Sequence, residues 1–469
     1  MEENKNNLPG GEEQHIPAEE NKMGTMSEGK LLLNISVPMM ISMLVQALYN
    51  IVDSFFVAKI DRDAFNAVSL AFPLQSLMIA VAAGTGVGVN ALVSRSLGEK
   101  DREHADRVAT NGLFIFFLSF AVVCVCGMLV VKPFYVWQTA GNKNAAPITA
   151  YGVKYLSIVM IFSLGVFMQF IFERLLQATG RTVYTMISQS VGAIINIIFD
   201  PVLIFGLGIF PKMGIAGAAI ATVFGQFVSA GIAFFCNLKK NPEVRISLKG
   251  FRPDIRIIGT IYRIGFPSII MQSIGSVMTA GMNKILIGYT DVATAVFGAY
   301  YKMQSFFFMP VFGLNNGLIP ILSYNFGARK KKRMTKTLIY GYMIAFIFTF
   351  LGFVSFEIIP GLLLKIFDAE GEMYTMGVYA LRIIGIHFLI AWFCIVTGSL
   401  FQAVGKATYS LWVSVCRQLV VLLPAAYLLA KMYGVNAAWW SFPIAELMSL
   451  CISLIFLKKT YRDILGNLE

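Results

Sequence analysis

Gly84-Thr-Gly-Val-Gly88-Val-Asn-Ala-Leu-Val-Ser94-Arg-Ser-Leu-Gly98 is answered 229 residues later by Gly313-Leu-Asn-Asn-Gly317-Leu-Ile-Pro-Ile-Leu-Ser323-Tyr-Asn-Phe-Gly327. The same offset joins Pro38 to Pro267, Gln75-Ser76 to Gln304-Ser305 and Gly112 to Gly341. At a slightly different offset, Leu176-Gln177-Ala178-x-Gly180 matches Phe401-Gln402-Ala403-x-Gly405, and Tyr184 matches Tyr409. Chance similarity between apolar helices does not set Pro, Gln and Gly pairs at one fixed distance, so the chain is read as a duplication. The glycine run lacks the Lys-Ser/Thr that completes a nucleotide loop. Its setting is apolar, and close helix packing accounts for it.

Composition shows where such helices pack. Of 469 residues, 57% are hydrophobic and only 14% charged, with a mean hydropathy of +0.69. Soluble chains carry about 25% charged residues, and a water-soluble domain of this length cannot enclose so much apolar surface. Soluble enzymes, disordered chains and fibrous proteins are excluded. Twelve segments meet the roughly 20-residue requirement for a bilayer-spanning helix: about 31–58, 65–93, 108–132, 148–173, 183–209, 214–238, 257–288, 294–322, 335–360, 374–401, 407–430 and 434–457. They do not alternate apolar and polar residues as barrel strands would.

The expected organisation is an acidic disordered tail (1–30), a six-helix bundle (31–238), a basic linker (239–256), a second six-helix bundle (257–457) and a short tail (458–469). Six spans per repeat is an even number, so the two bundles share one orientation about an axis along the membrane normal, with a central cavity between them. The net charge of +12 lies mainly in connections after even-numbered spans, Arg174 and the run Arg329 to Arg333 among them. That bias places both termini in the cytoplasm of a multi-pass cell-membrane protein. No interleaved basic and aromatic surface suggests nucleic acid. Membrane lipids and a small organic substrate are the expected partners, and the chain is expected to be a monomer. The six cysteines lie singly in apolar runs and read as packing thiols, not as metal ligands.

Polar residues inside spans are costly and therefore informative. Gln46, Asn50 and Asp53 form one stripe on the first span, and Gln189, Asn196 and Asp200 another on the fifth. Thr222 and Gln226 lie a turn apart on the sixth. Two carboxylates meeting in low dielectric resist double ionisation. The pair can carry a proton, or with Asn and Thr oxygens it can hold Na⁺; alternatively, either Asp is a solvated residue at a helix end. At the repeat offsets, Asp53 becomes Met282 and Asp200 becomes Ala425, so coupling chemistry belongs to the first half. Pro38 and Pro201 are expected hinges. In the second half, Lys302 amid Tyr300, Tyr301 and Gln304 is a candidate cavity group, as is Arg417, which could instead pair with Glu446; His387 is expected in an interhelical hydrogen bond. No cofactor is expected beyond a coupling ion, H⁺ or Na⁺. One intramembrane histidine and no His-Glu-x-x-His motif argue against an enzyme.

Gln46-Ala-Leu-Tyr-Asn-Ile-Val-Asp53, Ala71-Phe-Pro-Leu-Gln75, Gln177-Ala-Thr-Gly180, Asn196-Ile-Ile-Phe-Asp200-Pro-Val-Leu-Ile-Phe-Gly206 and Gly217-Ala-Ala-Ile-Ala-Thr222 are spread through the first half. With the Pro267 helix, they make residues 31–457 resemble the multidrug and toxic compound extrusion family, nearest its DNA-damage-inducible protein F-like branch. The resemblance implies an antiporter that exports organic, often cationic and amphipathic compounds. It assigns the coupling ion to Asp53, Asn196, Asp200 and Thr222. A lipid-linked oligosaccharide flippase of related fold and a drug-binding membrane sensor without transport are the competing readings.

Overall fold

In the computed structural model, residues 21–140, 144–247 and 249–468 are described. Ten single helices are long and apolar enough to cross a membrane, and two bent pairs bring the spans to twelve. The first three spans are Glu28–Ala58, Arg62–Gly98 and Arg102–Gln138; the fourth is Ala145–Ile161 with Leu164–Ala178. Thr182–Phe205 and Ile215–Lys240 complete the first bundle. Ile255–Ile287, Asp291–Gly327 and Lys331–Ile358 open the second, followed by Gly371–Gly385 with Phe388–Ala403, then Ala407–Tyr433 and Val435–Asn467. Apolar side chains such as Leu129, Ile198 and Phe235 stand exposed on the outside of the bundle, the surface a bilayer would cover.

The duplication is visible as paired contacts between the halves, where the second span packs on the seventh and the first on the eighth. A Cβ at Gly84 would collide with the Ile269 backbone, and one at Gly313 with the Met40 backbone. Gly88 lies against Ile261 and Gly265, while Gly317 lies against Ser36. Gly98 meets the Tyr324 carbonyl and Gly327 meets the Arg95 carbonyl. Each contact is the other's image under a shift of 229 residues, the signature of a pseudo-two-fold axis between the halves. These contacts use the start of spans one and seven and the end of spans two and eight, so they seal the end of the molecule that carries both termini.

The sharp bends are not at the expected hinges. Helix continues unbroken through Pro38 and Pro201. Pro201 lies only four residues before its helix ends at Phe205, leaving little helix beyond it to bend. The breaks fall instead in the fourth span (44°) and the tenth (48°), at repeat-related positions. In the tenth, His387 Nδ1 bonds the Ile384 carbonyl, one of the groups a helix end leaves unsatisfied. This local bond replaces the expected interhelical one.

The described part of the N-terminal tail is more ordered than expected. Residues 1–20 lie outside the described residues, but Lys22–Thr25 forms a helical turn with Met23 fully buried. Asn21 donates to the Thr179 carbonyl on the first half and to Glu243 in the linker. From the second half, Asn325 donates to the Met23 carbonyl and Arg333 to that of Met26. Burial and the neighbouring Arg181 hold the Lys22 ammonium below its ordinary range, against the pull of Glu243. At the other terminus, helix runs to Asp463 and Leu465 is buried. The linker is pinned too: Arg107 pairs with Asp254 at 2.6 Å, and Asp254 caps the seventh span. Bonds from the Ile257 and Arg256 amides, with Arg107 alongside, hold that carboxyl below the usual carboxylate range. Because Met23 packs between the halves, Met23→Ala should cost about 2–5 kcal/mol, read as a lower thermal midpoint in detergent; an unchanged midpoint would show the segment to be incidental.

Candidate functional site

Three helices of the first half converge toward the end of the seam away from both termini. Asp53 is one turn from the end of its span, and Asp200, fully buried, faces it within hydrogen-bonding range. Two carboxyl groups hydrogen-bond only through a shared proton, because ionised carboxylates are acceptors alone. Asn196 stands one turn before Asp200. In the orientation that satisfies its amide, it donates to Asp200 Oδ2 at 3.3 Å and accepts from the Thr222 amide (3.1 Å) and hydroxyl (3.3 Å). Tyr49 and Tyr155 lie within electrostatic reach of both carboxylates, and Gln75 donates to the Tyr155 hydroxyl at 3.4 Å. Asp53 Oδ1 is buried without a hydrogen-bond partner.

Beside this cluster is a cavity of about 420 Å³ whose wall includes Tyr49, Asn196 and Thr222. Asp53 and Asp200 stand behind that wall. The stripe residues Gln46, Gln189 and Gln226 also line the cavity, whereas Asn50 turns to the exposed flank of its helix. Five of the six polar residues of spans one and five therefore converge, together with both of span six.

A second polar cluster surrounds Glu173, which the sequence pattern does not single out. Glu173 Oε1 accepts from Gln169 (3.0 Å) and Ser188 (3.1 Å), and its Oε2 accepts from Gln189 (2.6 Å). Arg174, expected in a connecting loop, is buried within the fourth span. It donates to Gln177 (2.8 Å) and, across the seam, to Asn316 (3.1 Å). The span continues to Ala178, and Gly180, at φ 77°, turns the chain there. That glycine was the available signal: a left-handed residue after a helix marks its end better than the first charge does.

A cavity of similar size lies in the second half, lined by Gln304, Arg417 and Glu446. Arg417 Nη1 pairs with Glu446 Oε2 at 3.1 Å, the alternative its sequence position allowed. Two candidates do not reach the cavity. Tyr300 is fully buried against Phe297, Phe356 and Phe442, and Lys302 is exposed. One residue is 100° of helix turn, so Tyr301, between them, is the side chain that lines the cavity. Gln272, Phe312, Asn315 and Gln402 border both cavities, so the two spaces adjoin.

Like-oriented bundles around adjoining cavities, with glycine contacts closing the end that carries both termini, are the architecture of a two-bundle membrane transporter. The chain belongs to the MatE family, whose profile matches residues 38–202 and again 267–428, the two copies of the repeat. It is 24% identical over 426 residues to a FAD transporter of Shewanella oneidensis, covering 90% of this chain and 92% of that one. It is 26% identical over 421 residues to the multidrug export protein MepA of Staphylococcus haemolyticus, covering 89% and 90%. Its fold matches a multidrug resistance MATE family transporter of the MOP superfamily in an outward-facing conformation. That match has a TM-score of 0.88 at 23% identity, over 95% of this chain and 98% of that one.

Proposed function

We propose that the protein is a secondary antiporter of the cell membrane, with both termini cytoplasmic, that exports amphipathic organic cations in exchange for H⁺ or Na⁺. The observation that carries this reading is the Asp53–Asp200 pair beside the first-half cavity, with Met282 and Ala425 at the equivalent places in the second half. Asp53, Asn196, Asp200 and Thr222 take the coupling ion; Gln46, Gln189 and Gln226 present amides to the organic guest.

The mechanism follows from charge. With both carboxylates ionised, the cluster attracts a cationic guest into the adjoining cavity, through the thin wall of Tyr49, Asn196 and Thr222. A proton shared by the carboxyls, or Na⁺ held by their oxygens with those of Asn196 and Thr222, removes that attraction and releases the guest at the end away from the termini. Resealing that end and parting the glycine seam exposes the site to the cytoplasm, where the ion leaves and a new guest enters. The flippase reading calls for a basic cavity. Here the cavities' arginines are each engaged, Arg174 with amides and Arg417 with Glu446.

Reconstituted protein should drive efflux of a fluorescent organic cation under an imposed pH or Na⁺ gradient, whichever ion couples, and none without a gradient. Flux indifferent to both gradients would leave a sensor or a passive pore as the better account.

A further inference from the structure

We propose that the cavity which the linker builds over the start of the third span binds the headgroup of an anionic phospholipid, with Arg252 and Arg256 taking its phosphate. This concerns binding alone and stands whether or not the antiport reading does; it needs only that the spans cross a bilayer.

The linker is fastened down. The Arg245 amide donates to Asp106 at 2.6 Å, the Ser247 amide to the Thr110 hydroxyl at 3.4 Å, and the Asp254 amide to Asn111 Oδ1 at 2.9 Å. Phe251 packs on Phe114, with ring centroids 5.8 Å apart. These ties hold the linker against the first turns of one helix and leave a cavity of about 800 Å³ between the two.

The charge of the cavity wall is unbalanced. Arg107, Arg245, Lys249, Arg252 and Arg256 stand against three carboxylates, Glu103, Asp106 and Asp254. Asp106 is occupied by the Arg245 amide, and Asp254 by Arg107 and the helix amides that it caps. Arg245, Lys249, Arg252 and Arg256 are exposed, and none has a salt bridge among the described residues. Unpaired cations around one concave space focus an attractive field on an anion. The planar forks of Arg252 and Arg256 match phosphate oxygens better than a point charge does.

Position decides which anion. Arg107, Asn111, Phe114 and Leu118 stand at i, i+4, i+7 and i+11 of the third span, hence on one face. The first two line the cavity; beyond them the face turns apolar, and Leu118 is exposed. The cavity therefore lies where hydrocarbon gives way to headgroups. On the seventh span, Arg256 and Arg263 are seven residues apart on one exposed face, charges that long side chains hold at the interface. Ile255, also in the cavity wall, is 83% exposed. A soluble phosphate leaves that side chain in water, whereas a phospholipid covers it with an acyl chain. Basic residues clustered beside a span are the expected partner of an anionic lipid surface.

The test is native mass spectrometry of the purified full-length protein, titrated with phosphatidylglycerol or phosphatidylcholine. Phosphatidylglycerol should bind in preference, and an excess of inorganic phosphate should not displace it. Arg252→Gln/Arg256→Gln removes two exposed charges that hold no other part of the chain, so the fold is kept. It should weaken phosphatidylglycerol binding roughly tenfold or more, since each basic residue near a lipid surface contributes about fivefold. Lys332→Gln/Lys336→Gln, an equal loss of charge from exposed positions on the second half, should leave it within about twofold. Wild-type affinity in the arginine variant, equal weakening in the lysine variant, equal binding of phosphatidylcholine, or displacement by phosphate alone would overturn the assignment.

Discussion

Asp53→Asn and Asp200→Asn should each abolish gradient-driven efflux of an organic cation while leaving the protein folded. Each replacement keeps the side chain's size and hydrogen-bonding capacity and removes one ionisable group from a buried pair. A ligand shifts an equilibrium only by its differential affinity for the two states. With one carboxyl gone, ion entry no longer changes how well the organic cation is held, and exchange loses its direction. Couplings of this kind amount to about 1–3 kcal/mol, or roughly 5–150-fold in affinity, so efflux should fall at least about fivefold. Folding should survive, because removing a charge from a buried site relieves desolvation instead of adding to it. Downhill leak of substrate should persist, which separates lost coupling from lost protein. Efflux at the wild-type rate in both variants would remove the pair from the mechanism.

Gly98→Val and Gly327→Val should disable transport by a different route. A Cβ at either position would overlap a backbone carbonyl oxygen of the other half, that of Tyr324 or Arg95, and no rotamer change relieves a backbone contact. Overpacking in tight interiors costs about 1–3 kcal/mol. Here it falls on the state in which the terminus-bearing end is closed. The closed seam should lose population by roughly 5–150-fold relative to the state open at that end, and turnover should drop accordingly. Spin labels across the seam should report a longer distance in both variants. The pseudo-two-fold relation predicts effects of similar size from the two. Gly298→Ala, with no atom within 4 Å of the added Cβ, should leave both distance and transport unchanged.

The seam glycines are legible in the sequence because close backbone approach admits almost no other residue, and the duplication prints each of them twice. Asp53, Asn196, Asp200 and Thr222 are legible for a related reason: polar side chains at helical spacing in an apolar span need partners, and here they find one another. Glu173 and Arg174 escape because a charged pair near the expected end of a span reads as an interface, and their bonds come from Gln189, Ser188 and Asn316 on other helices. Among Tyr300, Tyr301 and Lys302, periodicity cannot choose the cavity-facing residue, since aromatic rings suit core and cavity alike. The breaks at 162–163 and 386–387 carry no proline; their signal is the weaker one of Ser163 with Gly165 and of Gly385, while the prolines mark helices that run on. The docking of residues 21–28 depends on Asn325 and Arg333, some 300 residues away, a relation no local pattern contains.

In the proposed exchange, one buried carboxylate pair, present in only one half of a duplicated scaffold, trades an ion for an organic cation. The most direct measurement is ion release on substrate binding by the purified protein, followed with a pH indicator in weakly buffered solution and with radioactive Na⁺. Wild type should release protons or Na⁺ as the organic cation binds, and Asp53→Asn/Asp200→Asn should release neither. Undiminished release from the double variant, or tight substrate binding to wild type with no ion displaced, would contradict the account.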